Sequence, residues 1–225
     1  ADGSSTFKDA SPSGHTVTAT NAVHKTAQKK FGASSIYFDG TGDFLQCAST
    51  SDFAFSGDFT IDLWVRRSSG GLYPYIFDFR TGGTEPFIAL YLHSGDGYKL
   101  QYHYNSAVRI SGGTAIAENT WYHVAVARSG STTTMYLDGV SQGTWSDSTS
   151  FAAAPVMFGE VSQWTVASYG WVGHMDEIRI SKGIARWTAA FTPPTRRYGV
   201  MSPEPTGDHL PLSGGTLTGA LTGTT

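Results

Sequence analysis

In the stretch DFTIDLWVRR, Phe59, Ile61, Leu63 and Val65 fall on one face of an extended chain, and Thr60, Asp62, Trp64 and Arg66 fall on the other. That two-residue period predicts a half-buried strand. The same alternation recurs from end to end, whereas a helical period is hard to find. PFIALYLH and YKLQYHY are separated by SGDG (Ser94 to Gly97), whose glycines supply the positive φ of a hairpin turn. TWYHVAVARSG leads into TTTMYLDGVSQG, where Asp138-Gly139 marks a second turn before a short return strand. APVMFGE and YGWVGHMDEIRIS add two further strands, and one turn of helix is expected around KGIARWTAAF.

Short strands with frequent punctuation predict an all-β fold, a two-sheet antiparallel jelly-roll sandwich, because each sheet buries one face and needs a second sheet to bury it against. From Thr192 the alternation stops. TPPTRRYGVMSPEP is rich in proline and reads as an extended strap followed by a linker. The tail HLPLSGGTLTGALTGTT is low in charge, carries a near-repeat of Gly and Thr, and is too short to bury a core alone. The expected organisation is a sandwich over residues 1–198, a linker over 199–209, and the start of an oligomerisation segment over 210–225. Backbone groups of a Gly/Thr strand need partners, and three copies wound together supply them, so the tail predicts a homotrimer.

Composition narrows the partners. The chain has 225 residues, 27 of them glycine, with 15% charged residues and a formal net charge of -3. No cluster of Lys or Arg exceeds a pair, which leaves no basic field for nucleic acid or an anionic membrane. No apolar run approaches the roughly 20 residues that span a bilayer, so membrane insertion is not expected. Cys47 is the lone cysteine and rules out an intrachain disulfide framework; it reads as a small apolar residue at a strand end. An alanine at position 1 reads as the start of a piece of something longer.

YFDGTGDFLQ places Asp39 and Asp43 around a Gly-Thr-Gly turn. Calcium takes six to eight oxygens, and glycines let backbone carbonyls swing inward while carboxylates close the ends. The competing reading is a plain turn, since Asp and Gly favour turns for their own reasons. The histidines sit on separate strands, His93 and His103 on opposite arms of one hairpin, without the tight spacing of a zinc site.

Taken in order, KFGASSIYFDGTGDFLQ, GDFTIDLWVR, TWYHVAVARSGSTTTMYLDG and GWVGHMDEIRISKGIARWTAAFTPP resemble the laminin-G-type, concanavalin A-like lectin/glucanase jelly rolls over about residues 5–198. That resemblance implies the sandwich, and a structural calcium near the Asp39–Asp43 turn and near Asp176. It also implies a packing role for Trp64, Trp121, Trp171 and Trp187. LPLSGGTLTGALTG resembles a segment common in bacteriophage tail-fibre proteins, which implies a virion appendage.

Enzymes of this fold carry acidic residues at alternate positions of one strand so that two carboxylates share a face. The five glutamates here (Glu85, Glu118, Glu160, Glu177 and Glu204) are dispersed, and no such string exists. A non-catalytic module is therefore expected. Glycan binding needs aromatic faces with polar neighbours, usually on loops. Tyr73, Tyr75, Trp145, Trp164 and Tyr169 lie outside the alternation, and SQWTVASYGW is the most suggestive loop, with Gln163 beside Trp164 able to donate and accept. The expected ligand residues are Gln163, Trp164 and Tyr169, and the expected partner is a host cell-surface polysaccharide. A purely structural module that buries those aromatics between subunits is the rival, and a depolymerase comes third.

Overall fold

The computed structural model describes residues 2–80, 87–105, 107–161 and 168–198. They form fourteen strands in two antiparallel seven-stranded sheets. Sheet 1 runs β1 (Val17–Thr20), β4 (Phe44–Cys47), β13 (Val156–Phe158), β6 (Tyr75–Phe79), β7 (Ile88–His93), β8 (Lys99–Tyr104), β9 (Ala107–Ala115). Sheet 2 runs β12 (Val140–Ser146), β11 (Thr132–Leu137), β10 (Trp121–Ser129), β5 (Phe59–Arg67), β14 (Val172–Lys182), β3 (Ser35–Asp39), β2 (Val23–Lys25).

The alternation read from the sequence decides what points inward. Phe59, Ile61, Leu63 and Val65 of β5 meet Val124, Val126, Met135 and Met175 of their own sheet and Phe77, Leu90, Leu100 and Tyr102 of the other, in one continuous buried core. The half-buried strand expected of DFTIDLWVRR is instead covered on both sides. Thr60, Asp62 and Trp64 are also buried, because residues 184–198 cross the outer face of sheet 2. No helix forms in that segment. Trp187 and Phe191 of this strap both pack onto Ala125, Ala127 and Tyr136.

Both expected hairpins form. At Asp138-Gly139 the two residues have φ of 48° and 77°, the paired positive values of the two-residue turn that matches strand twist. Gly139 has a second reason to lack a side chain: a Cβ there would lie 1.7 Å from the Phe191 carbonyl oxygen. The turn is thus also the seat of the strap, with the Phe191 amide donating to the Gly139 carbonyl at 3.0 Å. Around SGDG, His93 pairs with Lys99, and Gly97 and Tyr98 take up the positive φ. The proposed linker and oligomerisation segment, residues 199–225, lie outside the described residues.

Candidate functional site

On the outer face of sheet 1, the positions that alternate with the core on β6, β7 and β8 bring Tyr75, Tyr91 and Gln101 into one cross-strand row. Tyr75 and Tyr91 stack at 5.0 Å between ring centroids. Tyr73 lies on His93 at 4.9 Å with the rings 2° from parallel. Tyr169 arrives from the far end of the sequence and meets Tyr73 at 5.4 Å and Tyr75 at 6.0 Å. Backbone bonds fix it there: the amides of Leu72 and Tyr73 donate to the Ser168 carbonyl and that of Tyr75 to the Tyr169 carbonyl. Tyr73, Tyr75, Tyr169 and His93 thus form a partly exposed aromatic surface, backed by the buried Tyr91.

Polar groups flank it. Asp96 accepts from the His93 Nδ1 at 2.9 Å and from the Gln101 amide. The bond from His93 holds the Asp96 carboxyl below its usual range. Burial pushes the Tyr91 hydroxyl up to about 12, and that of Tyr75 higher still, so both phenols stay neutral donors. Beneath the surface, Asp78 and Arg80 form a buried ion pair at 3.3 Å, with the guanidinium 3.4 Å from the centroid of Phe87. The arrangement offers ring faces for sugar C–H patches and a fixed acceptor with neutral donors for hydroxyls.

Of the three residues expected to hold a ligand, Tyr169 sits in this cluster, while Gln163 and Trp164 lie outside the described residues. Tyr73 and Tyr75 were singled out and belong. Tyr91, His93, Asp96 and Gln101 were missed, although the alternation in PFIALYLH and YKLQYHY already put Tyr91, His93 and Gln101 opposite the core positions. Trp145 goes elsewhere, packing on Tyr104 at 5.3 Å.

The structure brings together only two of the three expected metal ligands. The Asp43 carboxylate accepts the amide of Asp39, and Asp39 Oδ1 takes the amide of Thr41 at 2.8 Å. Asp176 belongs elsewhere. Asp39 pairs with Val172 on β14, and Asp176 pairs with Trp64 further along that strand, about 13 Å away at ordinary strand rise. The Asp176 carboxylate accepts the amides of Lys30 at 2.8 Å, Phe31 at 3.1 Å and Glu177 at 3.0 Å, which clamps the 30–31 segment over sheet 2. Glu177 itself has φ of 50° at a bulge in β14 and accepts the amide of Tyr198, so it too serves the strap.

Glu160, given no role by its spacing, is the neighbour of Asp43. Extending the β13–β4 register, in which Phe158 faces Leu45, puts Glu160 opposite Asp43. Both are buried, and Asp43 Oδ1 and Glu160 Oε2 have no hydrogen-bond partner. Burial, and after it the Asp43 charge, push the Glu160 carboxyl up to about 7. Among the described residues, no three His, Cys, Asp or Glu side chains are grouped as a metal site, so carbonyls of the turn would have to complete any cation shell.

A seven-on-seven antiparallel sandwich with an aromatic outer face defines a lectin-like domain. The sequence matches the model of the concanavalin A-like lectin/glucanases superfamily, Laminin_G_3, over residues 10–186, and the chain belongs to that family. Solved structures agree on the fold. Domain 4 of AbnA, an extracellular arabinanase from Geobacillus stearothermophilus solved in complex with arabinotriose, is 17% identical with a TM-score of 0.58, covering 76% of this chain and 82% of that one. The binding domain of Paraclostridial Mosquitocidal Protein 1 is 14% identical with a TM-score of 0.61, covering 80% of this chain and 48% of its own. That of botulinum neurotoxin serotype D/C is 15% identical with a TM-score of 0.59, covering 78% and 46%. A comparison with curated proteins gives no match.

Proposed function

We propose that this domain is a non-catalytic glycan-binding module that engages sugar on the tyrosine face of sheet 1, displayed on a virion appendage of the phage tail-fibre kind to hold a host-surface polysaccharide. The convergence of Tyr73, Tyr75, Tyr91 and Tyr169 beside the Asp96, His93 and Gln101 group carries the reading. The arabinotriose bound by a similarly folded arabinanase domain supports a saccharide ligand. The tail motif supports the fibre context and a homotrimer formed through residues 210–225.

A glycosidase needs two carboxylates that flank one bond in an open site. Asp43 and Glu160 have the paired character of such residues but are 3% and 1% exposed, too enclosed to reach a glycosidic oxygen. They suit a structural calcium better. Their orphaned oxygens would be its side-chain ligands, next to the 168–171 segment that carries Tyr169; Asp176 would take no part.

Titration of arabinotriose and of host-surface polysaccharide into the chain, followed by calorimetry, tests the reading. Binding that Tyr73→Ala and Tyr169→Ala each weaken by about tenfold or more supports it, and absence of binding to either glycan at millimolar concentration sinks it. One observation favours the structural rival. Leu72, 46% exposed, adjoins Tyr73, and Val108, 42% exposed, pairs with His103 on the same sheet. Exposed apolar positions at two ends of this sheet suit a subunit contact, and tyrosine fluorescence shielded from acrylamide in the oligomer but not in a chain lacking residues 210–225 would point that way.

A further inference from the structure

The strap leaves part of the outer face of sheet 2 uncovered. Between its last stretch, Thr192–Thr195, and the Lys30–Phe31 segment lies a groove of about 470 Å³, walled by Phe31, Trp64, Trp121 and Pro193–Pro194 with Asp138 at its edge. That volume suits one or two sugar rings. Asp176 builds this groove by holding the amides of Lys30 and Phe31. The Lys30 ammonium then rests 3.7 Å from the centroid of Trp64.

Arg66 stands two positions beyond Trp64 on β5, on the same face and about 7 Å along the strand. It is paired directly with Trp121 on one side and His174 on the other. Among the described residues, neither Arg66 nor Lys30 has a carboxylate within ion-pair distance. The Arg66 charge is felt by its cross-strand neighbour. His174 has its imidazole pushed down to about 4, by burial first and then by the charges of Arg66 and Lys25. Among the described residues, Lys30 thus lines the groove and Arg66 stands opposite Trp121 beside it, neither in an ion pair, with Asp138 the one carboxylate in the lining.

We propose that this groove is a second saccharide site, which takes a uronic acid residue of an acidic polysaccharide. The sugar ring lies against the partly exposed Trp121, its carboxylate is held between Lys30 and Arg66, and Asp138 at the opposite edge accepts a ring hydroxyl. A guanidinium matches a carboxylate through two parallel hydrogen bonds, and a nearby ammonium adds charge without fixing direction. Neutral sugar gains neither. The site is on the opposite side of the sandwich from the tyrosine face and stands or falls independently of it.

Trigalacturonate and its fully methyl-esterified form share their rings and differ in charge, which makes them the probes. Each is titrated into the full chain at low and high salt while tryptophan fluorescence is followed. The expected result is binding of the acid that weakens with salt, and at least about tenfold weaker binding of the ester. Arg66→Gln and Lys30→Gln should each reduce affinity for the acid by about tenfold with circular dichroism unchanged. Equal affinity for acid and ester, no binding of the acid at millimolar concentration, or undiminished binding by the folded Lys30→Gln chain would overturn the proposal. So would loss of trigalacturonate binding in Tyr73→Ala, which would move the acid to the tyrosine face.

Discussion

The two outer faces of the sandwich begin alike, as the outward halves of two seven-stranded sheets, and end differently. On sheet 2 the chain covers its own face. Ala125 and Ala127 leave a shallow bed, and Trp187 and Phe191, stacked 3.9 Å apart, fill it. Beneath them Asp62 is buried, takes two bonds from Arg179 at 3.0 and 2.9 Å, and also accepts from His123 and the Tyr198 hydroxyl. On sheet 1, large tyrosines replace the alanines, and the described residues leave Tyr73, Tyr75 and Tyr169 partly exposed above the buried Tyr91. Small outward residues invite the chain to close a face upon itself; large aromatic ones fill the space that a strap would need and keep the face for something else.

The largest effect is expected where the closed face is most committed. Asp62→Ala removes the carboxylate shared by Arg179, His123 and Tyr198, and should cost about 3–5 kcal/mol in urea unfolding. A loss near zero would mean that the strap is held by packing alone. Trp187→Ala should cost about 2–3 kcal/mol, less than a fully enclosed tryptophan because the side chain is only partly buried. Retained protease resistance of residues 184–198 in that variant would make the charged hub the main tether.

The faces should also titrate in opposite directions. His174, on the strap side, has its folded value near 4 against an ordinary 6.5, so its contribution is complete above 6.5 and is lost as pH falls from there toward 4. Glu160, at the sheet 1 end, is raised to about 7 from 4.5, so its contribution is complete below 4.5 and is lost as pH rises toward 7. Each is on the order of 2–3 kcal/mol. The two windows overlap with opposite slopes, so the contributions nearly cancel and the profile is close to level between about pH 4.5 and 6.5. His174→Gln should expose a loss of stability as pH rises toward 7, and Glu160→Gln a loss as pH falls toward 4. Added calcium should abolish the loss toward pH 7 in the His174→Gln chain, and a profile there indifferent to calcium would argue against the cation at Asp43 and Glu160.

The smallest stability effect belongs to the open face. Tyr73→Ala should shift unfolding by about 1 kcal/mol, less than either change under the strap, while lowering glycan affinity by about tenfold or more. A large loss of stability there would make the tyrosines a structural layer like the one beneath the strap.

Much of this was legible in the chain itself. The period of two along DFTIDLWVRR fixed which side chains enter the core, because successive strand residues point to opposite faces whatever the context. Asp138-Gly139 fixed a hairpin, because few residues tolerate positive φ in succession. Those are local constraints. The tertiary structure alone decided that Tyr169 meets Tyr73 and Tyr75, that Asp176 clamps Lys30 and Phe31, and that Glu160 faces Asp43. Sequence spacing carries no information about which distant strands become neighbours, and an aspartate looks the same in sequence whether both its oxygens accept backbone amides, as in Asp176, or one is left unpartnered, as in Asp43.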